Sequence, residues 1–124
     1  LWLEARQAML LAKLRGGPSS STARMALEIA TRGGAGCLGR IGEIGEISLG
    51  AVGDLAVWSL TGPQFAGAIA DPIEAWLRCG PVSVRDTIVH GNVVVRGGRL
   101  VNTRVDEVLA QHRGLAARMQ QFGI

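Results

Sequence analysis

Histidine, the side chain most often used for acid–base chemistry and metal binding, occurs only twice in this sequence. His90 stands at a predicted tight turn, and His112 stands on the apolar stripe of a predicted helix. A hydrolytic metal site needs several His, Asp or Glu ligands that converge on one ion. The sequence contains no HxH, HExxH or G-x-S-x-G motif. We therefore expect both histidines to be structural, and we assign no catalytic, cofactor-binding or metal-binding residue to this chain.

Two further sets of reactive side chains also favour structural roles. Ser59, His112 and Asp54 supply the residue types of a catalytic triad, although almost any chain of this composition offers such a set. Asp54 is better explained as a turn residue that fixes the start of its strand by bonding nearby backbone N–H groups. Cys37 and Cys79 lie far apart without a CxxC motif, which favours buried reduced thiols over a disulfide or a metal ligand.

The glycine-rich run IGEIGEI, residues 41–47, invites comparison with a phosphate-binding loop. It lacks the GxxxxGK[ST] pattern, a preceding strand and a following helix with an open N-terminus. Its two glutamates would also repel a phosphate group. We expect a short edge strand and a turn in this region.

Length and composition limit the class of protein. The 124 residues favour one domain, and 48% hydrophobic with 19% charged residues is typical of a globular chain. No apolar run approaches a membrane span and no signal peptide is visible, which predicts no membrane partner and a cytoplasmic location. The net charge of +3 is mild, and the arginines near the predicted strands lack an aromatic stacking platform, so we expect no nucleic-acid partner; these are Arg78, Arg85, Arg96 and Arg99.

The stretch around which the other elements are expected to assemble is residues 82–101. Its β-branched residues and glycines predict a three-stranded antiparallel meander with turns at His90-Gly91 and Gly97-Gly98. A further strand of the buried type is predicted at residues 55–60. The helices on either side need such a sheet to bury their apolar stripes.

The first predicted helix covers residues 1–15 and places Leu3, Leu10 and Leu14 on one face. The chain begins inside this helix and without Met. This start predicts that the sequence is a piece of a longer polypeptide, although a trimmed N-terminus would look similar.

Capping residues predict where the remaining helices begin. Thr22 is the expected N-cap of a second helix, which Gly33-Gly34 interrupts. Asp71 with Pro72 and Glu74 predicts a capping box at the start of another helix. A last helix begins near Thr103, and its stripe consists of apolar residues and one histidine: Val105, Val108, Leu109, His112, Ala116 and Met119.

The order of these segments resembles the C-terminal part of the amidohydrolase superfamily. TARMALEIATRGGA and GDLAVW carry most of the resemblance, and VHGNVVVRGGRLV matches the closing hairpin of that family. Within the superfamily the chain is most similar to the cytosine deaminase and chlorohydrolase branch, near the 8-oxoguanine deaminases and the triazine hydrolases. The resemblance covers essentially the whole chain.

The resemblance implies that the chain is an α+β fragment of a larger fold. It would comprise the C-terminal helices of a (β/α)₈ metal-dependent hydrolase barrel and the C-terminal part of the small β-sandwich of that enzyme. Residues 1–40 would be the last barrel helix and the linking helices. Residues 41–102 would be the sandwich portion with an inserted helix near 71–79, and residues 103–124 a C-terminal helix that packs on the barrel.

The resemblance also implies the chemistry of the parent enzyme. Such an enzyme hydrolyses a C–N bond, deaminating a purine, pyrimidine or triazine-like ring, and would be most like 8-oxoguanine deaminase. In the family a metal-activated water attacks a ring carbon. The expected metal is zinc or iron, and its ligands, an HxH pair, two later histidines and an aspartate, precede the region that this chain matches.

Several further expectations follow from the resemblance. The parent is expected to bind a small heterocyclic substrate and to form homo-oligomers, whereas the 124-residue chain alone is expected to be inactive. Trp2 lies closest to the position of the family's aspartate, and we favour core packing over a place at the mouth of the pocket. The family's Pro-Gly-Lys-x-Ala-Asp motif survives here only as Gly50 and Asp54. The alternative functions are a stand-alone, non-catalytic interaction module and a truncated remnant.

Overall fold

The computed structural model describes residues 2–68, 70–102 and 104–122. Within these ranges a group of helices is followed by a four-stranded antiparallel sheet, and a terminal helix completes the chain. A 3₁₀-helical turn (Pro63–Phe65) and one α-helix are inserted between the first and second strands. The expected α+β class is confirmed.

The helices before the sheet are α1 (Trp2–Gly16), α2 (Ala23–Glu28), a π-helical turn (Ile29–Gly33) and α3 (Gly34–Cys37). Thr22 is the N-cap of α2, as predicted, because its side-chain oxygen accepts a hydrogen bond of 3.2 Å from the Met25 backbone N–H. The predicted interruption at Gly33-Gly34 is wrong. Both glycines keep helical φ angles, −61° and −60°, because the chain passes there from π-helical to α-helical bonding without leaving the helix.

The sheet consists of β1 (Leu55–Val57), β2 (Asp86–Val89), β3 (Asn92–Arg96) and β4 (Arg99–Leu100), which lie side by side in chain order. The predicted meander is therefore confirmed. Both residues of each predicted turn have positive φ, 51° and 78° at His90-Gly91 and 57° and 76° at Gly97-Gly98, as a tight two-residue hairpin requires. The strand predicted at residues 55–60 ends at Val57 because β2 pairs only with Leu55 to Val57.

The inserted helix α4 (Pro72–Arg78) lies where a helix was predicted near residues 71–79. Asp71 caps it by accepting hydrogen bonds from the backbone N–H groups of Ile73 (3.0 Å) and Glu74 (3.1 Å). Helices α1, α2 and α4 pack together, and small alanines allow their close approach. The core that they form consists of Ala5, Met9, Ala23, Ala26, Trp76 and Leu77.

Helix α1 buries a different face from the one that its leucines predict. Ala5 and Met9 are buried against the other helices, whereas Leu3 and Leu14 are 64% and 81% exposed. The helix carries apolar side chains on two faces. Only the face that contains Ala5 has side chains small enough for the close contact with α2. The leucine face has no covering element among the described residues.

The terminal helix α5 (Val105–Gln121) confirms the predicted helix, although its expected start at Thr103 lies outside the described residues. None of its side chains is buried. Only Val105 and Ala116 of the predicted stripe are half-buried, and Val108, Leu109 and Met119 are exposed. None of the helices that the structure describes is both long and apolar enough to cross a membrane.

The glycine-rich segment does not form the predicted edge strand. Residues 41–46 form consecutive turns and bends, because Gly42 and Gly45 adopt φ angles of 84° and 80° that interrupt an extended strand. The segment lies on the π-helical turn. A Cβ atom placed on Gly45 would lie only 2.6 Å from the carbonyl oxygen of Thr31, and Arg32 forms an ion pair of 3.5 Å with Glu46.

The first prediction concerns this contact. Gly45→Ala combines a left-handed φ with a collision against backbone, so we expect it to lower the free energy of unfolding by about 2–4 kcal/mol. Gly50→Ala is the matched control, because Gly50 has a φ of 89° but no atom within 4 Å of the added Cβ. That control should lose about 1 kcal/mol. Urea unfolding at equal protein concentration measures both values, and equal losses would show that the contact is unimportant.

The second prediction concerns the exposed apolar faces of α1 and α5. Each fully buried leucine contributes about 1.5–3 kcal/mol, so these faces favour association when nothing else covers them. We expect the 124-residue chain to form oligomers or aggregates in sedimentation equilibrium. Met119→Glu, which places a charge on a side chain that is 66% exposed, should weaken association.

The neighbouring Gln120→Glu adds the same charge outside the predicted stripe and provides the control. It should leave the association nearly unchanged. If the unsubstituted chain were a monodisperse monomer that melts cooperatively, this prediction would be contradicted.

Candidate functional site

The three residues of the hypothetical triad lie in unrelated surroundings. Asp54 Oδ1 accepts a hydrogen bond of 2.6 Å from the His90 backbone N–H, and Ser59 Oγ lies 2.9 Å from Thr61 Oγ1. His112 is exposed on α5. The structure describes all three residues and records no hydrogen bond between any two of them, so it offers no nucleophile–base pair.

Asp54 has the structural role expected for it, but its partner lies in another part of the chain. The sequence predicts bonds to nearby N–H groups, whereas the carboxylate reaches the turn between β2 and β3 at His90. The Gly91 backbone N–H donates to the Gly53 carbonyl oxygen at 3.0 Å beside it. Asp54 therefore fixes the entry of β1 against the neighbouring hairpin, because the antiparallel register brings the two chain segments together.

A second carboxylate has the same function one turn further along the sheet. Asp86 Oδ1 accepts a hydrogen bond of 2.9 Å from the Gly97 backbone N–H, in the turn between β3 and β4. Its other oxygen lies 2.6 Å from Arg85 Nε. The Gly97 hydrogen bond, followed by the one from Arg85, holds the pKa of Asp86 below its ordinary value. This carboxylate is occupied in stabilising the hairpin.

Glu74 joins two helices, which the sequence does not predict. A capping box would direct its carboxylate back to the Asp71 N–H. Instead, Glu74 Oε1 accepts a hydrogen bond of 2.8 Å from the Ala23 backbone N–H at the start of α2, and Oε2 forms an ion pair with Arg78. The hydrogen bond from the Ala23 N–H is the main cause that lowers the pKa of Glu74, and the hydrogen bond from Arg78 is the next largest.

The aromatic and basic residues at the start of α1 complete the same junction. Trp2 packs against the core, and its Nε1–H donates to the Trp76 carbonyl oxygen at 2.7 Å. Arg6 donates to the carbonyl oxygens of Leu77 (3.3 Å) and Arg78 (2.9 Å), with its guanidinium 5.5 Å from the Trp2 ring centroid. The last carbonyl groups of a helix lack intrahelical partners, so these donors cap α4 from outside.

Both cysteines are free thiols, as expected, but the expectation that they are buried is wrong. Cys37 is exposed and Cys79 is half-buried. Cys37 closes the short surface helix α3, in which Ala35 alone is buried.

The described residues do not fit a catalytic metal centre. Among them, no three His, Cys, Asp or Glu side chains lie close enough together to hold one ion. Asp54, Asp71, Glu74 and Asp86 already accept hydrogen bonds from backbone N–H groups. We therefore derive no metal-dependent step from this chain.

An apolar cleft lies between α2, α4 and the segment that follows β1. It has a volume of about 220 Å³. Its walls are Leu27, Trp58, Leu60, Pro72, Ile73 and Trp76, and we call it the tryptophan cleft. The described residues thus combine a hydrogen-bonded scaffold with an apolar cleft.

No protein-family model matches the chain, but individual proteins match it almost from end to end. It is 38% identical to 8-oxoguanine deaminase of Pseudomonas aeruginosa over 94% of its own length. It is 34% identical to 5-methylthioadenosine/S-adenosylhomocysteine deaminase of Desulforudis audaxviator, also over 94% of its length. The structure superimposes on atrazine chlorohydrolase from Arthrobacter aurescens, solved with zinc, with a TM-score of 0.79, 28% identity and 93% coverage.

The chain belongs to the amidohydrolase superfamily, within its deaminase and chlorohydrolase branch. A zinc-bound adenosine deaminase from Xanthomonas campestris shares the fold, with a TM-score of 0.84, 24% identity and 97% coverage of this chain. The chain is short compared with these proteins. It spans only 26% of the Pseudomonas deaminase, 27% of the Desulforudis deaminase and 26% of the chlorohydrolase.

The third prediction uses the pKa of Glu74. Because folding lowers this pKa, the ionised carboxylate stabilises the fold above its unfolded value of 4.5, and that stability is lost as the pH falls through the lower folded value. Glu74→Gln should lose about 1 kcal/mol of unfolding free energy at neutral pH, and less below pH 4.5. Urea unfolding as a function of pH measures both effects.

Glu43→Gln is the control for this experiment. It removes an exposed ion pair of 3.0 Å with Arg40 and should change stability by less than about 0.5 kcal/mol. A Glu74→Gln variant that loses the same small amount at every pH would contradict the proposed link between α4 and α2.

Proposed function

We propose that this chain is the C-terminal quarter of a metal-dependent aminohydrolase that removes an amino group from a nitrogen heterocycle by hydrolysis. The observation that carries this proposal is the match of 38% over 94% of the chain to an 8-oxoguanine deaminase. A second deaminase matches the same length of chain at 34%. The proposed reaction breaks the bond between a ring carbon and the nitrogen of its amino substituent.

The substrate proposed first is a purine of the 8-oxoguanine type. The Pseudomonas relative is named for that base, and the other relatives are named for adenosine derivatives. A triazine-like ring is the second candidate, because a structural neighbour was solved with atraton. Purines agree with both deaminase names, so we rank them above triazines and pyrimidines.

The proposed metal, zinc or iron, would be held by residues outside this chain. The support is chemical. Four of the described carboxylates accept backbone hydrogen bonds, and no three possible ligands converge among the described residues. The chlorohydrolase and the adenosine deaminase among the solved neighbours contain zinc, which favours zinc over iron.

The proposed role of this chain is to support the catalytic domain. Residues 1–40 would supply the last barrel helix and linking helices, and the exposed leucine face of α1 supports this because it lacks a partner in the described residues. Residues 41–102 would be the sandwich portion. Residues 103–124 would pack on the barrel through the exposed stripe of α5. A homo-oligomeric parent, a cytoplasmic location and the absence of nucleic-acid partners stay predictions.

The fourth prediction tests this function directly. The coding sequence upstream of Leu1 should contain an HxH pair, two later histidines and an aspartate. The complete polypeptide should then contain bound zinc or iron and release ammonia from 8-oxoguanine or from an adenosine derivative. Metal analysis and an ammonia assay measure these results. The 124-residue chain alone should neither bind metal nor release ammonia.

Two outcomes would contradict the proposal. A start codon at Leu1 without a ligand-bearing frame would favour the interaction module or the remnant. Metal-dependent deamination by the isolated chain would mean that ligands lie within these residues.

A further inference from the structure

We draw no further inference here: the strongest candidate, the tryptophan cleft between α2, α4 and the segment that follows β1, is an unpartnered apolar surface, and nothing in the residues that the structure describes shows what covers it.

Discussion

Hydrogen bonds from side chains to the backbone at both ends of α4 hold the helical core together. At the N-terminal end, Glu74 accepts from the Ala23 N–H and so joins α4 to the start of α2. At the C-terminal end, Trp2 and Arg6 of α1 donate to the last carbonyl groups of α4. Because helix ends leave unpaired backbone groups, these contacts both satisfy the ends of α4 and α2 and fix the three helices relative to one another. The buried alanines can then pack closely.

The sheet uses carboxylates in the same way. Asp54 and Asp86 each accept a backbone N–H from the turn of a neighbouring hairpin, at 2.6 and 2.9 Å. Acidic side chains that would otherwise be candidates for acid–base or metal chemistry therefore support the fold.

The apolar surface divides into a small closed core and large uncovered faces. Few large side chains are fully buried, and Phe65, Met9 and Leu77 are the largest among the described residues. The leucine face of α1, the stripe of α5 and the tryptophan cleft all remain open to further packing. Trp58, Leu60 and Val82 lie in the segments just outside the strands and pack against the helical core. Exposed apolar surface of this extent is typical of sites that pack against further protein.

The sequence by itself determined the elements whose signals are local. The turns at His90-Gly91 and Gly97-Gly98 and the caps at Thr22 and Asp71 follow from residue types that favour those conformations. The family was also readable in the sequence, because segments such as GDLAVW resemble those of the family. The absence of a metal-ligand motif likewise required no coordinates.

Only the tertiary structure decided which partners these elements have. Glu74 bonds Ala23, because packing brings the start of α2 within its reach. Gly45 lies against Thr31 in a bend, although the sequence led us to expect an edge strand in this segment. Helix α1 buries Ala5 and Met9 because close helix contact selects small and flexible side chains over branched leucines. These outcomes depend on residues distant in the sequence, and periodicity within one segment contains no information about them.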